Sequence, residues 1–258
     1  MRIVIKVGTS TLAHSTGRLN IRRVEELCKV MSDLKNSGHE LIFVSSGAIG
    51  MGVGKLNLKQ RPDDIPTKQA AAAVGQCELM YTYDKLFSEY NHTVAQILLT
   101  GYDVKNEESH AHFCNTLSRL LELGVLPIIN ENDTVATEEI VIGDNDTLAA
   151  IVAESSKADL LILLSDIDGL YTADPHKDKN AKLISVVETL DEKILSLGGK
   201  AGSGLGTGGM ATKLSAARIA TAAGCDMIIA NGEDPEILYA IAEGKNVGTR
   251  FAAGGKKA

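Results

Sequence analysis

One punctuation device recurs along this chain and restricts its fold more than any other feature: a helical pattern ends in glycine and a short apolar run follows. Asn36-Ser37-Gly38 leads into Leu41-Ile42-Phe43-Val44, Glu122-Leu123-Gly124 into Val125-Leu126-Pro127-Ile128-Ile129, and Ala222-Ala223-Gly224 into Met227-Ile228-Ile229-Ala230. Glycine just past the last helical residue accepts the left-handed backbone that stops a helix. The apolar runs are nearly continuous, as in parallel strands buried under helices on both faces. The expectation is an α/β fold: a three-layer sandwich around an open, mostly parallel sheet.

Helices are predicted over residues 21–36, 67–90, 106–123, 146–157, 209–223 and 235–243, with further strands at 2–7, 94–99 and 160–164. Between Asn130 and Asp144 the alternation Thr134-Val135-Ala136-Thr137-Glu138-Glu139-Ile140-Val141 predicts a short hairpin, which breaks the helix–strand rhythm. Irregular excursions at strand ends are where function concentrates. At 258 residues the chain has the length for one large α/β domain or two small ones. Residues 1–251 are read as one domain, and 252–258 as a flexible tail.

A formal net charge of −7, with no arginine-rich stripe or interleaved aromatics, argues against nucleic-acid binding. Cys28, Cys77, Cys114 and Cys225 are dispersed without C-x-x-C pairs, which fits reduced thiols rather than zinc or redox centres. The first residues enter a strand directly, with no signal-peptide core, and no apolar stretch is long enough to span a bilayer. A cytoplasmic protein without membrane contact is expected.

The chemistry is concentrated in a few clusters. Gly202-Ser203-Gly204-Leu205-Gly206-Thr207-Gly208-Gly209 precedes the helical run Met210-Ala211-Thr212-Lys213. Glycines let successive N–H groups turn onto an anion, a helix N-terminus adds its dipole, and Lys213 in the first turn leans back toward the same point. A flexible connector before an Ala-rich helix is the other reading of the glycines alone. Lys6 is a lone cation in an apolar strand ahead of Gly8-Thr9-Ser10; it either faces a ligand or snorkels to the surface. Ser45-Ser46-Gly47 follows the next strand, either as a site for carboxylate or phosphate or as a plain turn. Asn130-Glu131-Asn132-Asp133-Thr134 and Gly143-Asp144-Asn145-Asp146-Thr147 flank the hairpin, and Asp146 or Thr147 is also a candidate N-cap. Ser165-Asp166-Ile167-Asp168-Gly169 leaves a very apolar strand. The clusters around Lys6, Ser46, Asn130–Thr134 and Gly143–Thr147 are placed just beyond carboxyl ends of predicted strands, where α/β sheets bind ligands.

Several alternatives fail on spacing. Gly50-Met51-Gly52-Val53-Gly54-Lys55-Leu56 is one residue short of a P-loop and lacks its hydroxyl. The protein-kinase H-R-D and D-F-G and the hydrolase G-x-S-x-G are absent, and the histidines lack zinc spacing.

Taken in order, K-V-G-T-S, V-S-S-G-A-I, I-N-E-N-D-T-V-A, G-D-N-D, S-D-I-D-G-L-Y-T-A-D-P and G-L-G-T-G-G-M-A-T-K resemble the amino acid kinase family, in its glutamate-phosphorylating branch, from Met1 to Phe251. The resemblance implies phosphorylation of the γ-carboxylate of L-glutamate by ATP, the first step toward proline. By motif it assigns catalysis to Lys6, Lys213 and Asp146, and glutamate binding to Ser46, Asp133 and Asn145. Nucleotide contacts fall on Lys6, Ser165, Asp166, Thr207, Gly208, Gly209, Met210, Ala211, Thr212 and Lys213. Residues up to about 155 become the glutamate side and the remainder to 251 the nucleotide side. Asp133 is expected to meet the α-ammonium, with Asn145 and Ser46 or its neighbouring N–H groups holding carboxylate oxygens. ATP enters as co-substrate and Mg²⁺ through its phosphates, with no protein metal ligand identified. A homo-oligomer, dimer or tetramer, is expected, as is coupling to the next proline-pathway enzyme. Other kinases of the family, acting on acetylglutamate, aspartate, carbamate or UMP, are the alternatives, with a non-catalytic sensor as a third. Many glutamate-phosphorylating members append a C-terminal PUA domain, and a short form without it is expected here.

Overall fold

The computed structural model describes residues 1–14, 18–135, 142, 144–175, 177–199 and 209–254. In chain order the elements are β1 (Arg2–Val7), α1 (Thr9–Leu12), α2 (Ile21–Asn36), β2 (Glu40–Ser45), α3 (Ala48–Lys55), α4 (Ile65–Ser88), β3 (Val94–Leu99), α5 (Gly101–Lys105), α6 (Glu107–Glu122), β4 (Leu126–Glu131), α7 (Asn145–Ser156), β5 (Leu160–Ser165), β6 (Val186–Val187), α8 (Glu192–Ser196), α9 (Met210–Ala222), β7 (Asp226–Asn231), α10 (Ile237–Ala242) and β8 (Thr249–Phe251). The strands form one sheet in the order β3-β4-β2-β1-β5-β7-β8-β6. Pairing is parallel except between β7 and β8, where Met227 faces Phe251 and Ile229 faces Thr249 in antiparallel register.

Side chains alternate across the sheet and divide the core in two. Ile3, Ile5, Val7, Phe43 and Ile162 join residues of α2, α4 and α10 on one face, while Val4, Val44, Ile129, Leu163 and Ile229 join α6, α7 and α9 on the other. This is the expected three-layer arrangement. The parity also settles Lys6: it shares the face of Val4, so its side chain rises among α7 and α9.

The three glycine stops take the backbone they were expected to take, with φ of +97° at Gly38, +71° at Gly124 and +79° at Gly224. Each closes the paired hydrogen bonds of a Schellman turn, as in Gly38 N to Lys35 O at 3.1 Å and His39 N to Leu34 O at 3.2 Å. The same turn recurs at Asn57, Asn91 and Lys157, left-handed without being glycine. Those stops carried no glycine signal in the sequence.

Several elements depart from expectation: β6 and β8 are not among the predicted strands, and two helices differ in start or in kind. The helix predicted over 67–90 begins at Ile65, because Asp64 accepts from Thr67 N at 2.9 Å and Pro66 fits a first turn. The glycine-rich segment after Ser46 is itself a helix, α3, despite poor intrinsic propensity. It forms because its glycines let it press backbone-to-backbone on α4: a Cβ at Gly52 would stand 1.8 Å from Ala71 O, and one at Gly75 1.7 Å from Ala48 O.

The hairpin expected over 134–141 falls largely on residues 136–141, outside the described residues; Asp133, Thr134 and Val135 form a turn after β4. Of the tail expected over 252–258, residues 255–258 lie outside the described residues and the first two do not fit the expectation. Ala252 N donates to Val187 O at 3.0 Å and Ala253 N to Asp226 Oδ1 at 2.7 Å, so both are tied to the sheet. Among the described residues no helix is long and apolar enough to cross a membrane.

Candidate active site

From β1 the chain moves to β2 on one side of the sheet, and from β5 it moves on to β7 and β8 on the other. Between β1 and β5 the direction of winding reverses, and such a point opens a crevice at the carboxyl edge of the strands. Lys6 and Ser165 lie at that edge. α7, which follows β4 in the chain, packs over β1, β2, β4 and β5.

Asp144, not Asp146 or Thr147, caps α7, accepting from Thr147 N at 2.8 Å and from Thr147 Oγ1 at 2.9 Å. Asp146 is thereby freed from capping and turned inward, where it is wholly buried. Lys6 Nζ donates to Asp146 Oδ1 at 2.6 Å, and Lys213 Nζ to Asp146 Oδ2 at 3.0 Å. Thr212 Oγ1 lies 3.0 Å from the same Oδ2 and 2.7 Å from Gly209 O, two acceptors that compete for its single hydrogen. Burial alone would push the Asp146 carboxyl up; the ammonium groups of Lys6 and Lys213 more than offset it and hold it below the ordinary carboxylate value. Two ammonium groups on one carboxylate leave one net positive charge in a dry place. With both oxygens engaged by ammonium donors, Asp146 is suited to aligning lysines, not to ligating a cation. No group of three potential metal ligands occurs among the described residues.

The helices that start around this charge share a second property. α1, α3 and α9 begin at Gly8, Gly47 and Gly209, and none has a side-chain cap. By contrast Asn20, Asp64, Thr100, Asn106, Asp144 and Asp191 cap their helices with side-chain oxygens. Unspent N–H groups and the positive end of the helix dipole therefore collect at the crevice, an arrangement that suits anions. A Cβ on Gly8 would stand 3.6 Å from Lys6 Nζ, so the ammonium lies directly over the start of α1. Thr207 and Gly208 lie outside the described residues; Gly209, Met210, Ala211, Thr212 and Lys213 form the start of α9.

On the β5 side, Ser165 Oγ donates to Asp166 Oδ1 at 3.1 Å. Ser165 pairs in register with Asn231 of β7, whose side chain reaches Asp168 Oδ1 at 2.9 Å. A recess of about 480 Å³ opens there, lined by Asn231, Glu233, Asp234, Glu236 and Ile237. Its carboxylates suit hydroxyl and amine donors more than phosphate.

On the β2 and β4 side a cluster of amides meets Ser46. Asn145 Nδ2 donates to Ser46 Oγ at 2.7 Å and to Asn130 Oδ1 at 3.0 Å, with Ser45 O at 3.4 Å. Its donors are spent within the protein, so only Oδ1 remains for a ligand, where a carboxylate-holding donor was expected. Glu131 is buried, and its Oε1 accepts from Ile142 N at 2.7 Å, which anchors the returning end of the excursion to β4. Burial lifts its carboxyl to about 7 against the hydrogen bond from Ile142, and Asp133 and Asp144 add to the rise. Burial also raises the Asp133 carboxyl, with Arg61 pulling the other way.

Most of the expected site residues that are described thus form three adjoining groups along one sheet edge: Lys6, Asp146, Thr212 and Lys213 in direct contact, Ser46 and Asn145 beside Asn130, and Ser165 with Asp166; Asp133 is not among these contacts and stands in the turn after β4, near enough to Glu131 to raise its carboxyl. Sequence reasoning singled out neither Asn130 nor Glu131 for a role, although both stand inside a quoted motif. Gln76, hydrogen-bonded to Asn130, left no sequence signal, since it sits mid-helix between Gly75 and Cys77 in no recognisable motif.

The amino acid kinase family matches residues 1–231. Glutamate 5-kinase of Clostridium perfringens (strain 13 / Type A) is 53% identical over 256 residues, 98% of this chain and 95% of that protein. Glutamate 5-kinase of Clostridium acetobutylicum is 55% identical over 250 residues, 97% of this chain and 94% of that protein. Among solved structures, carbamate kinase from Giardia lamblia bound to AMP-PNP superposes with a TM-score of 0.69 at 15% identity, covering 97% of this chain and 98% of that one. The last likeness is one of fold.

Proposed function

We infer that this chain, which belongs to the amino acid kinase family, transfers the γ-phosphoryl group of ATP to the γ-carboxylate of L-glutamate, giving L-glutamyl 5-phosphate, the first step of proline synthesis. The observation that carries the reading is the contact of Lys6 and Lys213 with opposite oxygens of the buried Asp146. The curated relatives supply the acceptor's identity.

The nucleophile needs no general base. A glutamate γ-carboxylate has an ordinary pKa of about 4.3 and is ionised at neutral pH. The obstacle is the approach of one anion to another, with charge to be stabilised on the phosphoryl group in transit. Lys6 and Lys213, pinned by Asp146, and the uncapped starts of α1 and α9 supply positive potential that is already oriented before substrate arrives. Mg²⁺ brought with ATP would supply further charge neutralisation on the phosphates, with no group of protein ligands for it among the described residues. Ser165, Asp166 and the recess beside Asn231 take the hydroxyl- and amine-bearing part of the nucleotide.

At the other end, Asp133 and the free Oδ1 of Asn145 offer acceptors to the α-ammonium of glutamate. Ser46 Oγ already accepts from Asn145, so its hydroxyl hydrogen is available to a carboxylate, alongside the N–H groups of the first turn of α3. An N-acetylated substrate brings no charge to Asp133 and leaves it unpaired. The exposed stripe of Ala70, Ala73, Cys77 and Tyr81 on α4 is the surface through which the chain associates into a homo-oligomer. The enzyme works in the cytoplasm and passes its water-labile acyl phosphate to an enzyme that reduces it.

The test is ADP release from MgATP with L-glutamate, N-acetyl-L-glutamate, L-aspartate, carbamate and UMP in parallel. Release with glutamate alone is expected; release with another acceptor and not glutamate overturns the assignment, as does nucleotide binding without turnover.

A further inference from the structure

The amide polarity of the glutamate pocket is fixed from a single unambiguous donor. Glu131 N is a backbone N–H and donates to Asn130 at 2.9 Å, so the atom it meets is the amide oxygen, Oδ1. Asn130 then presents its Nδ2 elsewhere, and that atom donates to Gln76 Oε1 at 2.9 Å. The same Asn130 Oδ1 takes a second hydrogen bond at 3.0 Å, which requires a donor, so Asn145 turns its Nδ2 inward and its Oδ1 away from Ser45, Ser46 and Asn130. Asn130 is 2% exposed and Gln76 9%, so neither amide finds ready compensation in water. Tyr83, two turns further along the same face of α4, steadies the neighbouring strand by a 2.7 Å bond to Ser45 Oγ.

We propose that Gln76, which does not touch substrate, is a positioning residue for amino-acid recognition: its side-chain oxygen holds Asn130, Asn130 orients Asn145, and Asn145 Oδ1 thereby faces the substrate's α-ammonium. The inference deepens the glutamate kinase reading and rests on it. Without an acceptor at position 76, buried Asn130 Nδ2 is left unpaired and the amide rotates to find a partner. Asn145 then loses the contact that sets its own orientation. The phosphoryl clamp is held by separate contacts from β1, α7 and α9, so the loss falls on recognition of the amino acid and not on transfer.

Gln76→Met keeps volume and removes the acceptor, whereas Gln76→Glu keeps an acceptor oxygen whether ionised or not. Steady-state kinetics are measured for wild type and both variants with glutamate, with glutarate, which lacks the ammonium, and with varied ATP. For Gln76→Met the KM for glutamate is expected to rise about tenfold or more, with kcat and the KM for ATP within about threefold of wild type, and the glutamate-over-glutarate preference in kcat/KM to fall by a similar factor. Gln76→Glu is expected to stay within about threefold of wild type in every constant. Wild-type constants in a folded Gln76→Met, a loss confined to kcat, or a Gln76→Glu impaired tenfold in glutamate KM overturns the proposal. Should Gln76→Met fail to fold, the Gln76→Glu result decides alone. A wild-type protein with no glutamate-dependent ADP release contradicts the functional reading instead, so the two failures are distinguishable.

Discussion

Lys6 Nζ and Asp146 Oδ1 lie 2.6 Å apart although 140 residues separate them in the chain. The contact joins the first strand to the second position of α7, and the other oxygen of the same carboxylate receives Lys213 from α9. Three elements that share no local sequence thus converge on one buried charge. Lys6→Ala and Lys213→Ala are each expected to lower kcat by roughly two to three orders of magnitude, the scale of losing one transition-state donor. Near-wild-type turnover in a variant with a native circular dichroism spectrum contradicts their placement on the transferring group.

Asp146→Asn tests the organising role separately. It leaves two buried ammonium groups without their counter-charge, so both kcat and stability are expected to fall, the latter by about 3 kcal/mol at pH 7. Because the carboxyl of Asp146 is held below its ordinary value, its contribution is fully present above the unfolded-state pKa and lost as pH falls through the folded one. Urea unfolding of wild type should therefore weaken with acidification by more than that of Asp146→Asn, and parallel pH curves are the contrary result.

If Asp133 meets the substrate ammonium as proposed, Asp133→Ala is expected to raise the KM for glutamate by about tenfold or more while sparing the KM for ATP. An unchanged glutamate KM with weakened ATP binding places Asp133 on the wrong substrate.

Glu131 gives the opposite pH signature. Its folded carboxyl titrates near 7, above its ordinary value, so the folded state holds a proton that the unfolded chain has released. Its contribution is greatest below the unfolded pKa and declines as pH rises toward 7. Glu131→Gln retains an acceptor for Ile142 N and removes the charge beside Asp133 and Asp144. It is expected to be more stable than wild type at pH 8 by up to about 3 kcal/mol, with the gain shrinking toward pH 5. An equal gain at both values contradicts the assigned titration.

Gly75→Ala is expected to destabilise by at least about 3 kcal/mol in urea unfolding, because its Cβ falls 1.7 Å from Ala48 O and neither backbone has room to retreat. A loss below about 1 kcal/mol indicates that α3 and α4 separate more easily than their packing implies.

The sheet and its helices were legible because their signals are local. Continuous apolar runs named the buried parallel strands, and Gly38, Gly124 and Gly224 named the helix ends through a backbone conformation that other residues resist. α3 escaped because its glycines read as a loop; only the facing surface of α4 makes them helical. β8 escaped because three residues carry too little pattern, and its antiparallel place beside β7 depends on the sheet already being there. The lysines and Asp146 were found by motif, yet that Asp144 takes the capping duty and releases Asp146 to the interior is a fact of packing. Gln76 lies beyond any local rule, since its function is defined by Asn130 across 54 residues of sequence.

The central question is whether the Lys6–Asp146–Lys213 group places phosphate on a carboxylate. An acyl phosphate is trapped by hydroxylamine as a hydroxamate, whereas a phosphate ester or phosphoramidate is not. With MgATP, L-glutamate and hydroxylamine, the wild-type protein is expected to form γ-glutamyl hydroxamate in step with ADP, and Lys213→Ala to form it at least about a hundredfold more slowly. ADP release without hydroxamate, or equal hydroxamate formation by Lys213→Ala, contradicts that role.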